Sequence, residues 1–552
     1  MNNHCHIFTS CLRAYVPSCL HSFHSAFRIH AFCILLLSGC NADFEPSPVR
    51  NPASLKQIDS TTLSQLPPAT RPTTAPAAPA EIQLTLEEAR QSALENNLDL
   101  RVLVIAPTIA NESVSAAEAA FEAVFTTDMS YSQAKAPVSS QLDSSSYNTL
   151  SVTPGVSVPL RTGGTLNFSL PVNRGESDNA FSTLNPAYTS DLAASLSLPL
   201  LRGAGPYVTT ARIRIAQLAS QSSLASTRLE VIRVLANVDR SYWRLYGARR
   251  QLEVRKKQYD LAVAQLERAQ RQVRAGTVAE VEVIRAESGV ADQISAVINA
   301  ENDLRDRQRE IKRIINKPGV GPETPTILVP SSPPNALPYK LDPAGVLAVA
   351  YKQRMELLEL ELQLLTDTIN INTARNGMLP LVTFSYTYGV NALGKTFTDS
   401  LAVLREKDFE SHTVGIHLEV PIGNEAARSQ LRLAMLNRMQ SLRTRDQRMQ
   451  SIQQEILAAL DKLEANWQQI IAAQKRVILA ARVVDAETRQ FTQGVRTSTD
   501  VLNAQASLAD AQTAEVSAVA DYQISQVDIS FAAGMLLGAS KVSWQPEPRP
   551  KP

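Results

Sequence analysis

The chain of 552 residues lacks most of what enzymes and membrane helices need. Its five cysteines, Cys5, Cys11, Cys19, Cys33 and Cys40, all fall within the first forty residues. The remaining body therefore has no disulfide staple, no thiolate zinc site and no thiol nucleophile. Aromatic residues make up only 5%, and the three Trp and thirteen Tyr are too dispersed for a stacking platform. Neither sign of charge dominates: 54 Lys and Arg meet 53 Asp and Glu. A nucleic-acid binder would carry a basic excess, so that class is disfavoured. No apolar run approaches the length of a membrane helix. Barrel strands escape that test, because their alternation keeps hydropathy low. No phosphate-binding Gly loop, zincin helix or G-x-S-x-G elbow occurs. His412 and His417, five apart in an alternating stretch, face opposite sides and make a poor metal pair. Nothing calls for a cofactor, and no enzyme is expected.

What is present begins with an address. Arg28 and His30 precede the apolar run Ala31 to Leu37, followed by Ser38-Gly39-Cys40. A basic flank, a short apolar core and small residues at the cut describe a secretory signal. Leu37-Ser38-Gly39-Cys40 resembles a bacterial lipobox, whose cysteine is lipidated and becomes the first mature residue. A plain signal peptide with an incidental cysteine is the alternative. Residues 41–80 hold eight prolines and no apolar period, the composition of an extended tether.

The body is one unit written twice. Gly276-Thr277-Val278-Ala279-Glu280-Val281-Glu282-Val283 reads against Gly494-Val495-Arg496-Thr497-Ser498-Thr499-Asp500-Val501. Ala286 falls on Ala504 and Ala291-Asp292 on Ala509-Asp510; Asn97-Leu98-Asp99-Leu100 parallels Arg354-Met355-Glu356-Leu357. The expected layout is a first repeat over 81–317, with strands about 126–201 and a long helical hairpin about 204–315. A Pro-rich linker over 318–343 separates it from a second repeat over 344–540, with strands about 381–422 and a hairpin about 424–538. Residues 541–552 are expected to be a disordered tail.

From Met435 every seventh residue is apolar: Leu442, Met449, Ile456, Leu463, Ile470, Val477, Val484 and Phe491. Val231, Val238, Leu245, Leu252, Tyr259, Leu266 and Val273 do the same in the first repeat. A sustained seven-residue period imposes coiled-coil packing. Each arm of about 70 residues would reach roughly 105 Å, too long for any globular core. The strands alternate as clearly. Leu150, Val152, Val156 and Val158 face one way and Thr149, Ser151, Thr153 and Ser157 the other, as do Val382/Phe384/Tyr386/Tyr388 and Val414/Ile416/Leu418/Val420 against their neighbours. One greasy and one wet face suit a barrel wall. Arg161-Thr162-Gly163-Gly164 reads as a tight turn, and 133–147, 173–188 and 391–412 as long polar loops.

With these motifs in order, together with Leu84-Thr85-Leu86-Glu87-Glu88-Ala89, Pro199-Leu200-Leu201-Arg202-Gly203, Val420-Pro421-Ile422-Gly423-Asn424 and Thr499-Asp500-Val501-Leu502-Asn503-Ala504-Gln505, the chain resembles the TolC-like family of outer-membrane efflux and type I secretion channels. The resemblance spans Leu84 to about Leu537. It implies a mainly α fold with a β-barrel part: a homotrimer sharing one outer-membrane barrel, continuous with a periplasmic coiled-coil tunnel. It also implies a periplasmic adaptor protein and an inner-membrane RND or ABC transporter as partners, with no catalysis. Family members usually place two strands in each half. Here the first half shows four, so a trimer would hold eighteen strands unless the additional hairpin lies outside the wall.

The resemblance assigns adaptor docking to the hairpin tips: Gly276, Thr277, Val278 and Val283 in one repeat, Gly494, Val495, Ser498 and Val501 in the other. Both glycines are equally explained as helix ends. It places a gate at Asp500, whose threefold ring would attract cations, with Asn503 where a second aspartate often stands. Arg496 and Glu282 match residues that bridge coils, and Phe491 stands where a tyrosine often supplies a hydroxyl. Solvated helix faces are the plain alternative for these charges. A pore-free coiled-coil spacer lipoprotein is the competing function, and it has no use for repeated amphipathic strands. Mass spectrometry of the mature N-terminus should find lipid on Cys40; an unmodified cysteine, or cleavage elsewhere, would refute the lipobox.

Overall fold

The computed structural model describes residues 80–140 and 143–540. The signal, Cys40, the tether and the tail lie outside the described residues. The first repeat runs β1 (Glu81–Leu84), α1 (Leu86–Asn96), α2 (Leu98–Leu103), α3 (Ile105–Glu118), then strands β2 (Val124–Lys135), β3 (Ser146–Pro159), β4 (Thr165–Ser169), β5 (Val172–Ser177), β6 (Ala187–Ser190) and β7 (Leu192–Pro199). It closes with the long helix α4 (Ala211–Arg274) and α5 (Val281–Ile315). The second repeat follows the same order: β8 (Ile327–Pro330), α6 (Pro343–Gln353), α7 (Met355–Gly377), strands β9 (Leu381–Val390) and β10 (Leu393–Gly394), α8 (Phe397–Glu406), strand β11 (Glu410–Glu419), then α9 (Glu425–Thr492) and α10 (Ser498–Ala532).

The stretch 318–343 is more than the linker expected from its prolines. Its apolar run Ile327-Leu328-Val329 forms β8, which pairs in parallel with β1. The two strands open their respective repeats, so the duplication folds back on itself. Gln308 holds Leu328 from both sides, donating to its carbonyl at 2.7 Å and accepting from its amide at 2.9 Å. The Tyr242 hydroxyl donates to Leu84 O at 3.0 Å and accepts from Ser332 N at 2.9 Å. Thr85 and Glu88 then start α1 with a reciprocal capping box.

Helices α4 and α9 have 64 and 68 residues, about 96 and 102 Å at ~1.5 Å per residue. Their return partners α5 and α10 have only 35 each. A second short helix covers the rest of each arm: α3 packs on α4, and α7 on α9 and α4. The matched motifs sit at these joins. Asn97 caps α2 by accepting from Leu100 N and donates Nδ2 to Ile314 O, near the end of α5, at 2.9 Å. Arg354, just before α7, donates to Ala532 O, at the end of α10, at 3.3 Å. Arg354 is nearly inaccessible, and its charge is met by Glu455 at 2.5 Å and Glu356 at 3.2 Å, which Arg448 also binds. The seven-residue seams face inward: Val231, Val238, Leu245, Ile456, Leu463 and Ile470 are buried. Toward the tip Tyr259, Leu266, Val477 and Val484 are half-buried.

Arg90 of α1 grips Asp239 of α4 through two bonds of 2.7 and 2.8 Å, with the aspartate side chain fully inaccessible. Burial raises the Asp239 pKa despite the opposing pull of Arg90 and Arg240. Arg90→Ala would leave an unpaired buried carboxylate and destabilise by about 3–5 kcal/mol, whereas Arg90→Leu with Asp239→Leu should recover most of the loss. In Arg90→Ala the raised pKa makes the neutral acid the better folded form, so part of the deficit should return on acidification. Thermal unfolding in detergent across pH checks both; equal losses in the single and double variants would refute the assignment.

Candidate functional site

Two regions can serve a channel, the sheet and the opposite ends of the hairpins. In the sheet, β4 and β5 form one strand bent at Leu170-Pro171, and β6 and β7 one bent at Asp191. Bonds from Leu170 N to Pro154 O and from Asp191 N to Pro171 O, both 2.9 Å, carry the ladder across the bends. Counted so, six strands follow in one antiparallel meander: β2, β3, β4–β5, β6–β7, β9 and β11, with β10 continuing β9 along β6. The segments 173–188 and 391–412, expected as loops, are partly ordered. Strands β5 and β6 occupy the two ends of the first, and β10, α8 and the start of β11 most of the second.

Residues directly opposite on paired strands project to one face. Phe125 pairs with Val156, Val156 with Phe168, and Phe168 with Ala194. Leu196 pairs with Tyr386 and Tyr386 with Val414, while Leu198 pairs with Phe384 and Phe384 with Ile416. One apolar face thus crosses all six strands and is left uncovered: Met129 is 73% exposed and Ile416 72%. Where the strands leave the helices behind, this face carries Tyr188, Tyr388 and His412 together with the ion pair of Arg174 and Glu176, a rim of aromatic and charged groups in which Arg174 donates to the Tyr188 hydroxyl at 3.2 Å. The reverse face runs Ser157, Asn167, Ser195, Thr387 and Thr413, small and hydroxylic, with Ser157 donating to Asn167 Oδ1 at 2.7 Å. His412 and His417 fall on opposite faces. Among the described residues no group of His, Cys, Asp or Glu could hold a metal ion.

Strands β2, β5 and β9 all run into their long connections at the end away from the helices, and the tight turn 160–164 lies at the helix end. The pairing also fixes the tilt. Following partners from Val124 through Ser157, Asn167, Ser195 and Thr387 reaches Thr413, six residues short of Glu419. With Val124 and Glu419, the strand ends that join helices, taken as one level, that is about 20 Å of stagger across about 24 Å of sheet. The strands tilt by about 40°, within the range of closed membrane barrels.

At the tips, Gly276 and Gly494 adopt φ of 72° and 73°, which only glycine enters without strain. Each closes its helix identically: Gly276 N bonds Val273 O and Thr277 N bonds Gln272 O, while Gly494 N bonds Phe491 O and Val495 N bonds Gln490 O. Beyond the turn the copies diverge. Thr497 caps α10 with a full capping box through Asp500, but its counterpart is Ala279, and α5 starts without a side-chain cap. The Asp500 carboxylate accepts from Thr497 N at 3.0 Å and Thr497 Oγ1 at 2.9 Å.

Arg496 and Glu282 are not partners within this chain. Arg496 turns back to Glu487 at 3.4 Å and Gln490 at 3.1 Å, at the end of its own arm. Glu282 instead crosses to the other repeat, accepting from Ser498 N at 3.2 Å and from the Ser498 hydroxyl, and pairs with Arg285 at 2.6 Å. It thereby sits at the N-terminus of α10, where the helix dipole favours an anion. Sequence matching singled out Glu282 and Ser498 separately; their contact has no local signal, since it spans the two repeats. Val501, Phe491 and Ser498 are buried, Val278 and Val283 half-buried, and Thr277 and Val495 exposed, the last at 71%. Asn503 lines a polar cleft of about 250 Å³ with Gln258, Arg285 and Asp292.

Both tip carboxylates sit below their ordinary pKa. For Glu282 burial pulls upward, but the two Ser498 bonds and Arg285 outweigh it; for Asp500 the Thr497 amide and hydroxyl lead. A depressed folded pKa gives stability that is present above the unfolded value and lost as pH falls through the folded one. Amide exchange at 498–501, taken relative to the intrinsic rate at each pH, should therefore be slow at neutral pH and gain on that intrinsic rate only below the ordinary carboxylate range. Asp500→Ala should speed it at neutral pH, Asp500→Asn much less, because the amide oxygen still accepts; identical rates in both would refute the capping role.

Comparison with known proteins agrees with this architecture. The family model described as Outer membrane efflux protein matches residues 89–190, 165–317 and 346–535. Outer membrane protein TolC of Salmonella enteritidis is 22% identical over 309 residues, and that of Escherichia coli K12 23% over 321. These matches cover 55% of this chain and only 61% and 62% of the relatives' own length. Outer membrane efflux protein BepC of Brucella suis is 23% identical, over 56% of this chain and 65% of its own. Among solved structures, CusC superposes with a TM-score of 0.62 at 16% identity, covering 81% of this chain and 92% of its own. The Neisseria gonorrhoeae MtrE outer membrane channel gives 0.57 at 17% identity, covering 82% and 89%. These likenesses establish the fold, and the chain belongs to the outer membrane efflux protein family.

Proposed function

We propose that this chain is the outer-membrane channel of a tripartite efflux or type I secretion system, a passive duct opened by a periplasmic adaptor. One observation carries it: a single uncovered apolar face backed by a hydroxylic one, joined at one end only to helices about 100 Å long. A pore-free spacer leaves that face without a purpose. The duct is a homotrimer anchored by lipid at Cys40, with its helical part in the periplasm. It is charged from an inner-membrane RND or ABC transporter.

The exposed apolar residues Val281, Ile284 and Val495 support adaptor docking at the tips. Gating rests on Asp500, half-exposed on the first turn of α10, where three copies would repel one another and attract cations. Asn503 removes a second charged ring, and Phe491, buried here, offers no hydroxyl for closure. Arg496 contributes by bracing its own helix end against Glu487, and Glu282 by tying the two tips together.

Detergent-solubilised protein should run as a trimer by light scattering and form pores in planar bilayers; a stable monomer would sink the duct. Asp500→Asn, which keeps the cap and removes the charge, should weaken block by di- or trivalent cations. Unchanged block would move the gate elsewhere.

A further inference from the structure

The wall of this protein is built from more strands than the two per repeat usual in the resembling family, and the pairing decides what the additional hairpin does. A protomer that gave only β4–β5, β6–β7, β9 and β11 to a barrel would need the outer edge of β4–β5 free for its neighbour. That edge is occupied: β3 pairs with β4 over 155–159 and with β5 over 147–152. Beyond β3, β2 is paired along its whole length of 12 residues. Both added strands keep the register of the wall, with Phe125, Met129 and Tyr131 on the same face as Val156, Val152 and Leu150. A hairpin lying off the wall would have to break this ladder and would gain nothing by carrying the lipid-type face.

Apart from the two-residue β10, the sheet among the described residues therefore ends at two edges without a strand partner, the outer sides of β2 and of β11. They are close in length, 12 and 10 residues, and in a six-strand meander they run in opposite senses. Soluble proteins blunt such edges with bulges, prolines or inward charges. Strand β2 has neither proline nor bulge; Phe125, Met129 and Tyr131 lie on its apolar face, Gln133 and Lys135 follow them only at its far end, and Asp128 turns to the hydroxylic side. In hydrocarbon an open edge leaves every second backbone group unpaired, so it must close on another strand. A second copy of this chain supplies one of matching length, sense and facing.

We propose that β2 of one protomer pairs antiparallel with β11 of the next, closing a trimeric barrel of eighteen strands. With Val124 and Glu419 at one level, the inter-protomer register sets Ser130 opposite Thr413 and Thr126 opposite His417. Barrel diameter grows roughly linearly with strand number, so the lumen is about half again as wide as in a twelve-stranded barrel. The inference rests on the channel reading above, but the two can fail separately.

The absence of cysteine beyond Cys40 makes disulfide trapping direct. Opposed residues in a closed ladder lie within disulfide reach. Ser130→Cys with Thr413→Cys, and the pairs displaced by two residues to either side, should convert the oxidised protein to a covalent trimer in denaturing gels. Asn167→Cys with His417→Cys, which would be opposed only if β4 met the neighbour's β11, should stay monomeric there. The reverse result would overturn the eighteen-stranded wall and leave the channel intact. A trimer by light scattering that neither set cross-links would also overturn the proposed seam. A monomer by light scattering would overturn seam and channel together.

Discussion

A helix of 64 or 68 residues must find packing along about 100 Å, and much of this fold answers that demand. No single return helix does so, since α5 and α10 reach only about half the distance. The remainder is covered by a second helix starting where the first stops, and the joins are where buried polar chemistry concentrates. Asn97 satisfies a carbonyl near the end of α5 while starting α2, and Arg354 does the corresponding work between α10 and α7. An orphaned carbonyl there would cost about 1–3 kcal/mol. The side chains differ because their settings do: Arg354 enters with two glutamates to neutralise it, whereas neutral Asn97 needs none.

The same problem of unfinished surface recurs in the sheet, in another chemical form. Its apolar face is stable only against something apolar, and its edges only against other strands. One chain supplies neither. The tilt of about 40° and the bends at Pro171 and Asp191 let the sheet curve without losing its ladder. At the tips, Phe491, Val501 and Ser498 are buried while Val281, Ile284 and Val495 are left exposed. There Glu282 and Asp500, equivalent in the two repeats, both serve the start of α10, while α5 goes uncapped. The duplicated unit has thus become asymmetric at the end where partners would meet it.

Much was legible in the sequence because it is encoded in local periods. A seven-residue repeat needs no tertiary information to place Val238 or Ile456 in a seam, and both are buried. Alternation likewise sorted Leu150, Val152 and Val156 from Ser151 and Thr153, and the pairing keeps them on separate faces. Glycines before matched motifs marked both tips, because positive φ is a property of the residue itself. The 318–343 stretch was misjudged for a related reason: its prolines dominate the composition, yet three consecutive apolar residues suffice for β8 once β1 is there to pair with.

What the sequence by itself determined is the duplicated order of elements, the faces of the helices and strands, and the position of the turns. Each follows from the steric preferences and spacing of neighbouring residues. Only the tertiary structure decided that the additional hairpin joins the main sheet, that β1 pairs with β8, and that Glu282 binds Ser498 and not Arg496. These are choices among partners far apart in the chain, and no local period distinguishes one strand edge, or one nearby donor, from another. The competition is settled by register and by which groups the folded backbone leaves within about 3 Å of each other.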